Sequence, residues 1–327
     1  MARGRLGCAI VGFGLGLCWI FSAQAIAQSY PAKPVTIIAA TTPGSLPDIV
    51  ARGVGQRLAA KWKQPVVVEN RAGGAYAIAA SAVANAAADG HTLLVTESGF
   101  YTTQPHLSKG RAAYAQSDFL PVSGIARIPT AFVANPALEA KSIRELIALA
   151  KAKPASINYG TAGPSTAPHM AMLLFEHMAN VNLTAVHYRG MAPALNDLIA
   201  GHIQLLAIGP TIAIPAFKAG SVKILAVGSE RPIPQLAGVP TVADTVPGFE
   251  MSVSFSIFAR SGTPQDIVRK INDDVQEIVR DVEFQKQFLE PQALQPMEST
   301  VQEFSRVMEA ESEKWARLVR ETKLMIE

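Results

Sequence analysis

The residues best suited to chemistry lie in two loops, each between a predicted strand and a predicted helix. The first loop is residues 41–45 (Thr-Thr-Pro-Gly-Ser), and the second loop is residues 160–166 (Gly-Thr-Ala-Gly-Pro-Ser-Thr). Each offers backbone N–H groups, hydroxyls and the positive end of a helix dipole at the carboxyl edge of a sheet. Facing each other, they would hold an anion. The same residue types also populate ordinary turns. For either loop taken alone, an ordinary turn and an anion-binding loop are therefore equally good interpretations.

Side chains near these loops are needed as further donors, because one helix end contributes only about 0.3–1 kcal/mol to anion binding. The candidates are Ser98, His169, Tyr188 and Arg189. His169 either donates to a carboxylate or packs and caps its helix, and packing is the commoner role. Arg189 either makes a bidentate hydrogen bond to a carboxylate or is solvated, and solvation is the commoner state.

No arrangement of residues in the sequence compels an enzyme. Ser165 and His169 are close, but no G-x-S-x-G surrounds the serine. The sequence has no H-E-x-x-H, no Walker A motif and no cluster with metal-ligand spacing. We therefore predict no catalytic residue, no metal and no cofactor. A serine hydrolase that uses Ser165 with His169 remains an alternative.

The N terminus predicts export. Arg3 and Arg5 precede an apolar run at residues 6–21, and Ala25-Ile26-Ala27 is a small-x-small cleavage site. This pattern is typical of a secretory signal peptide at residues 1–27, removed after about Ala27. Both cysteines lie within it, so the mature chain has no disulfide and no thiolate nucleophile. We expect a soluble periplasmic protein.

The composition of the remaining chain excludes some partners. Hydrophobic residues make up 49% of the sequence and charged residues 17%, which is typical of a globular protein with sizeable cores. Without Arg3 and Arg5, 27 basic residues stand against 26 acidic ones. This balance gives no electrostatic case for nucleic acid or an anionic membrane surface.

Strand and helix patterns alternate along the chain. Strands are predicted at residues 35–39, 66–69, 91–96, 130–134, 157–159, 184–188, 203–208 and 252–259. Helices are predicted at residues 47–62, 75–88, 142–151, 166–179, 192–200, 263–280 and 299–323. The alternation favours an α/β fold in which helices flank mainly parallel sheets. A proline-rich connector is predicted at residues 231–247.

Short motifs occur through the whole mature chain in a recognisable order. They are Tyr30-Pro31-Ala32-Lys33-Pro34, Pro43-Gly44 with Asp48-Ile49-Val50-Ala51-Arg52, Gln64-Pro65-Val66-Val67-Val68-Glu69-Asn70-Arg71, Ala88-Asp89-Gly90-His91-Thr92-Leu93-Leu94, Asn158-Tyr159-Gly160, His187-Tyr188-Arg189-Gly190 with Pro193-Ala194-Leu195 and Asp197-Leu198, Pro240-Thr241-Val242-Ala243 and Gly262-Thr263-Pro264. In this order they resemble the Bug-type periplasmic solute receptors of tripartite tricarboxylate transporters.

The resemblance implies a two-lobe periplasmic binding protein fold that closes like a flytrap on an organic acid. It places lobe 1 at residues 28–125 and 231–327 and lobe 2 at residues 126–230. Backbone amides, hydroxyls and bridging water would hold the carboxylate. The implied ligand-binding residues are Thr42, Gly44, Ser45, Ser98, Thr161, Ser165, Thr166, His169, Tyr188 and Arg189. The implied partners are a small organic carboxylate and the membrane subunits of a transporter, and we expect a monomer.

The chain departs from the family pattern where ligands would bind. Ser45-Leu46-Pro47 replaces the usual glycine run, and the second glycine-rich turn reads Gly73-Gly74-Ala75-Tyr76. Ile208 stands where relatives often carry an acid, which makes an amino-acid ligand less expected. We predict a non-catalytic receptor for a di- or tricarboxylate or an aromatic carboxylate. A receptor of the same fold that serves a signalling partner is the alternative.

Overall fold

The computed structural model describes residues 30–107, 114–163 and 166–322. The predicted signal peptide and Ser165 lie outside these ranges. Within them, no helix has the length and apolar character needed to cross a membrane.

The eight predicted strands and the seven predicted helices are all present with somewhat shifted bounds, and three further strands and four further helices in the described ranges were not predicted. The strands are β1 (Val35–Ala39), β2 (Val66–Asn70), β3 (Thr92–Glu97), β4 (Phe119–Pro129), β5 (Ala131–Ala134), β6 (Asn158–Thr161), β7 (Thr184–His187), β8 (Leu205–Ile208), β9 (Lys223–Val227), β10 (Ser252–Arg260) and β11 (Gln295–Pro296). The helices are α1 (Leu46–Trp62), α2 (Ala77–Ala84), α3 (Gly99–Thr102), α4 (Gln104–Leu107), α5 (Ile143–Ala152), α6 (Ala167–Ala179), α7 (Met191–Ala200), α8 (Pro210–Lys218), α9 (Gln265–Arg280), α10 (Val282–Phe284) and α11 (Val301–Thr322).

Two sheets carry the architecture. The first has the order β11-β4-β10-β3-β1-β2, and the second has the order β7-β6-β8-β5-β9. In the first sheet β1 is parallel to β2 and β3, while β10 is antiparallel to β3 and β4. In the second, β6 is parallel to β7 and β8, while β5 is antiparallel to β8 and β9. The α/β prediction is confirmed, but each sheet is mixed, because β5 and β10 enter their sheets from the other one.

Three segments meet where the chain passes between the sheets. Thr130 N donates to Met251 O at 3.0 Å, Gly228 N donates to Thr130 O at 2.6 Å, and Met251 N donates to Gly228 O at 2.8 Å. A Cβ at Gly228 would lie 2.8 Å from Met251 O. The close approach of these backbones therefore requires glycine at 228.

Apolar side chains on both faces of each sheet form the cores. In α1, Val50, Val54 and Leu58 lie on one face, are fully buried and pack with β1 and β3. In the second sheet, Phe132 and Tyr159 pack with Phe175 of α6. Burial of such one-sided stripes, rather than local propensity, is what stabilises these helices.

The proline-rich connector packs on the second sheet, and the last helix, α11, packs on both sheets. Ile233, Leu236 and Val239 join one core of the second sheet, and residues 242–251 contribute to the other. In α11, Phe304 and Met308 join a core of the first sheet, whereas Trp315, Leu318 and Val319 join one of the second. The domain bounds remain a prediction, and this packing adds that α11 contacts both sheets.

Candidate functional site

A cavity of about 450 Å³ lies between the two sheets. One wall comes from the first sheet and its loops, and the opposite wall from the start of α6. The strand that crosses between the sheets and α11 close the remaining sides. The lining residues are Ala75, Tyr76, Glu97, Ser98, Gly99, Thr102, Thr103, Gln104, Thr166, Ala167, Met170, Glu250, Met251, Ser252, Val253, Glu311, Lys314 and Trp315.

Backbone pairing positions the polar residues at the end of β3. Glu97 is the last residue of that strand and pairs with Phe255 of β10. Ser98 follows it, and Ser98 N donates to Ser254 O at 2.7 Å. Ser254 N in turn donates to Ser98 Oγ at 3.3 Å. The carboxyl end of β3 is thereby held firmly against the crossing strand.

Tyr76 reaches the cavity through an unusual backbone conformation. Ala75 and Tyr76 both have positive φ, at 46° and 73°, a region that non-glycine residues seldom adopt. The Tyr76 ring meets the edge of Phe100 at a centroid distance of 6.0 Å. Its hydroxyl donates to Glu97 Oε2 at 3.4 Å. Burial raises the pKa of Tyr76, and so does the neighbouring Glu97 carboxylate.

Carboxyl groups outnumber cations in the cavity lining. Burial raises the pKa of Glu97, and the Tyr76 hydrogen bond offsets only part of this. Burial and then Glu250 raise the pKa of Glu311 to about 7. Lys314 is the one cation among the lining residues; burial lowers its pKa, and its Nζ donates to Glu250 O at 2.7 Å.

The first loop is held by hydrogen bonds within the loop and to the start of α1. It does not line this cavity. Gly44 N donates to Asp48 Oδ2 at 2.8 Å, and Ser45 Oγ donates to Thr42 O at 2.9 Å. Thr42 and Gly44 are exposed, and Ser45 is half-buried. Because β1 lies beside and parallel to β3, this loop occupies the same carboxyl edge of the sheet as Glu97 and Ser98.

Asp48 is the acid that organises this loop. It is 3% exposed and accepts hydrogen bonds from Arg52 Nε at 3.1 Å and Asn70 Nδ2 at 2.7 Å, besides Gly44 N. Burial alone would raise its pKa, but the hydrogen bonds from Arg52, Gly44 and Asn70 and the charge of Arg52 lower it. Asp48 therefore stabilises the loop as a carboxylate.

In the second loop, the structure brings Thr166 to the cavity. Thr166 precedes α6, and its Oγ1 donates to Gly163 O at 2.8 Å. Thr161 is fully buried and does not line the cavity. Its Oγ1 accepts from Gly163 N at 2.9 Å and lies 3.0 Å from His187 Nδ1. Ser165, between them, lies outside the described residues.

His169 is a packed histidine in the interior of the second lobe. It is 7% exposed, stacks on Tyr159 and meets the edge of His187 at a centroid distance of 5.3 Å. Burial, and secondarily the neighbouring His187, lower its pKa to about 4. The ring is therefore neutral near pH 7.

Tyr188 and Arg189 lie away from the cavity lining. Tyr188 Oη donates to Asp197 Oδ2 at 2.8 Å, and burial followed by this contact raises the pKa of Tyr188 to about 12. Arg189 is exposed. Of the nine predicted ligand-binding residues that the structure describes, Ser98 and Thr166 line the cavity.

Sequence reasoning missed the acidic and aromatic lining: Tyr76, Glu97, Glu250, Glu311 and Trp315. Two signals were available. Tyr76 belongs to the altered glycine-rich turn, and Glu97 is an acid at the carboxyl end of an apolar strand. In the described part of the chain, no group of three or more His, Cys, Asp or Glu residues is arranged to hold a metal.

Comparison with known proteins identifies related sequences and structures. Residues 50–324 match the family described as tripartite tricarboxylate transporter family receptor. Protein BugT from Bordetella pertussis is 29% identical over 316 residues, covering 96% of each chain.

Two solved structures are similar over most of the chain. One is Rpa4515 from R. palustris with adipate, 32% identical with a TM-score of 0.72, covering 89% of this chain and 97% of that one. The other is MatC from Rhodopseudomonas palustris with bound malate, 26% identical with a TM-score of 0.70, covering 89% and 100%. With the two sheets described above, these likenesses confirm the predicted two-lobe periplasmic binding protein fold.

Proposed function

Because the chain belongs to the family of tripartite tricarboxylate transporter receptors, we propose that it binds a small organic carboxylate between its lobes and delivers it to a membrane transporter of that type. In this proposal the protein works as a monomer in the periplasm after cleavage near Ala27. Membership in a receptor family also means that the chain is not an enzyme, which sets aside the serine hydrolase alternative.

The single observation that carries the binding proposal is the cavity between the sheets. It brings Ser98 of the first lobe and Thr166 of the second to one space of about 450 Å³. Hydroxyl groups from opposite walls are suitable donors to a carboxylate, and α6 begins directly after Thr166. Relatives of the same fold hold adipate and malate, which supports a ligand of this class.

The first loop completes the proposed site when the lobes close. Thr42, Gly44 and Ser45 lie at the same sheet edge as Ser98, and Thr161, His169, Tyr188 and Arg189 lie around the second loop. A ligand held by both lobes stabilises the closed form through the contacts that only this form makes. The ten predicted residues are thus proposed to act together, with Ser98 and Thr166 at the centre.

The test is a thermal-shift screen of residues 28–327 against dicarboxylates, citrate, aromatic carboxylates and amino acids. A ligand at about 100 times its Kd adds about 2.7 kcal/mol of stability. We expect Ser98→Ala and Thr166→Val to reduce the shift, and the exposed Ser156→Ala to leave it unchanged. No shift with any compound would contradict carboxylate binding.

Delivery is tested separately, by uptake of the identified ligand into cells that carry the transporter. Uptake that continues at the same rate after deletion of the receptor would contradict the delivery step. It would favour the alternative in which the receptor serves a signalling partner.

A further inference from the structure

We infer that the ligand carries a protonated nitrogen as well as its carboxylate, and that Glu97 binds this nitrogen. The inference rests on the proposed function and refines it, because it names the chemistry at the second end of the ligand. It departs from the expectation based on Ile208, since the acid is supplied from another position in the chain.

The first argument is the charge of the cavity. Three carboxyl side chains line it, from Glu97, Glu250 and Glu311, against the ammonium of Lys314 alone. Lys314 Nζ already donates to Glu250 O at 2.7 Å. Burial raises the pKa of Glu97 and raises that of Glu311 to about 7, so the three carboxyls do not all carry a full negative charge. An ammonium group on the ligand would favour the ionised form of Glu97, whereas a second carboxylate would favour its protonated form.

The second argument is that Glu97 has no cation of its own. Glu250 lies 3.6 Å from Arg127, and both Arg127 and Lys314 act on Glu311. Throughout the described ranges, Glu97 forms no ion pair, and its side chain has one hydrogen bond, the 3.4 Å contact from Tyr76. Burial raises the pKa of this carboxyl, so its ionised form needs further donors.

The third argument is the open position on Glu97. The Tyr76 hydroxyl occupies Oε2, while no described residue donates to Oε1. A protonated amine offers two or three N–H donors, and a hydrogen bond between charged partners is stronger than one between neutral groups. The carboxylate of the same ligand would lie toward Thr166 on the opposite wall.

Tyr76 orients this acid from the first lobe. Its hydroxyl donates to the Glu97 carboxyl at 3.4 Å from a turn in which residues 75 and 76 both adopt positive φ. The altered turn and the acid at 97 therefore form one unit, defined here as the Tyr76–Glu97 pair.

The experiment uses matched ligands that differ in one end group. Adipate is compared with 6-aminohexanoate, glutarate with 5-aminopentanoate and succinate with 4-aminobutanoate, and hexanoate serves as the ligand with a carboxylate only. Kd values are measured by calorimetry at pH 7.5 for residues 28–327. We expect at least one amino acid to bind at least about tenfold tighter than its paired dicarboxylate, as a charged hydrogen bond implies.

Two variants assign that preference to Glu97. We expect Glu97→Gln to weaken amino-acid binding at least about tenfold while hexanoate binding is unchanged, and Glu97→Asp to keep the preference. Glu313→Gln, an exposed substitution on α11 outside the cavity, is the matched control. Circular dichroism establishes that each variant is folded, and if Glu97→Gln is not, the wild-type ratios and Glu97→Asp decide.

The outcomes separate this inference from the proposed function. Tighter or equal binding of the dicarboxylates overturns the inference and leaves the receptor for carboxylates intact. An amino-acid preference that survives in Glu97→Gln overturns the assignment to Glu97. Failure of all these ligands and of the wider carboxylate panel overturns the proposed function itself.

Discussion

The buried carboxylate of Asp48 connects three parts of the first lobe. It accepts from Gly44 in the first loop, from Arg52 one turn along α1 and from Asn70 at the end of β2. In the sequence, Asp48 is notable only as part of a short motif, Asp48-Ile49-Val50-Ala51-Arg52. Its contacts show a larger structural role, because three separate donors depend on one acceptor.

We expect Asp48→Ala to lower the free energy of unfolding by about 2–4 kcal/mol, since it removes a buried carboxylate that accepts hydrogen bonds from three donors. Urea denaturation at pH 7 measures the change. The exposed pair Glu69–Arg71 provides the control: Glu69→Gln should cost less than about 1 kcal/mol. Equal costs for the two variants would contradict the structural role of Asp48.

His169 predicts a loss of stability in mild acid. Its pKa is about 4 in the folded protein, below the ordinary histidine value of 6.5 that applies to the unfolded chain, so the unfolded chain binds the proton first as pH falls. Stability is unaffected above about pH 6.5 and decreases as pH falls from there to about 4. At about 1.4 kcal/mol per pKa unit, the loss between pH 7 and pH 5 is about 1–2 kcal/mol.

Urea denaturation at pH 7, 6 and 5 measures this dependence on His169. His169→Gln should flatten it, whereas the exposed His202→Gln should not. A slope that is unchanged in His169→Gln would show that other titrating groups cause it. Tyr159 and His187 contact the His169 ring, and Thr161 Oγ1 lies 3.0 Å from His187 Nδ1.

The helix α11 has one apolar stripe, but the stripe packs into two cores. Its first half buries Phe304 and Met308 against the first sheet, and its second half buries Trp315 and Leu318 against the second. Periodicity reveals which side of a helix is buried. It does not reveal that the neighbour changes halfway along.

We expect Trp315→Ala to lower the free energy of unfolding by about 3–5 kcal/mol, because a large side chain that is 5% exposed is removed. Val307→Ala, at a position 40% exposed on the same helix, should cost less than about 1 kcal/mol. Urea denaturation followed by circular dichroism compares them. Similar costs would mean that the second half of α11 is not a core element.

Most elements with a clear period were predictable, whereas β4, β9 and α8 were missed. The bounds of β1 and α5 agree with the sequence to within a residue or so, and Ser142 Oγ accepts from Glu145 N at 3.2 Å as a capping box requires. In a full capping box the Glu145 side chain would also accept from Ser142 N, but here it accepts from Lys141 N instead. Helix α8 was missed because Pro215 interrupts its pattern.

The cavity was less predictable than the elements that enclose it. Ser98 and Thr166 follow from the rule that ligands bind at the carboxyl edges of strands. Glu250, Glu311 and Trp315 come from the crossing strand and the last helix, which lie far from both loops in the sequence. Their approach depends on how two lobes pack, which local patterns do not encode.

The arrangement of the whole molecule predicts closure around the ligand. The lobes are connected by the crossing strands that meet at Thr130, Gly228 and Met251 and by α11. With saturating ligand, identified by the thermal-shift screen, we expect a smaller radius of gyration by small-angle X-ray scattering, since contacts from both lobes favour the closed form. Identical scattering with and without ligand would contradict closure.

The position of β10 in the first sheet determines when that sheet can finish folding. Residues 252–260 lie between β3 and β4, so those strands have no partner between them until the ribosome has made most of the chain. Non-local pairings of this kind form slowly. The first lobe therefore cannot finish folding until late in synthesis. A chain that has not yet folded can still pass through a narrow pore.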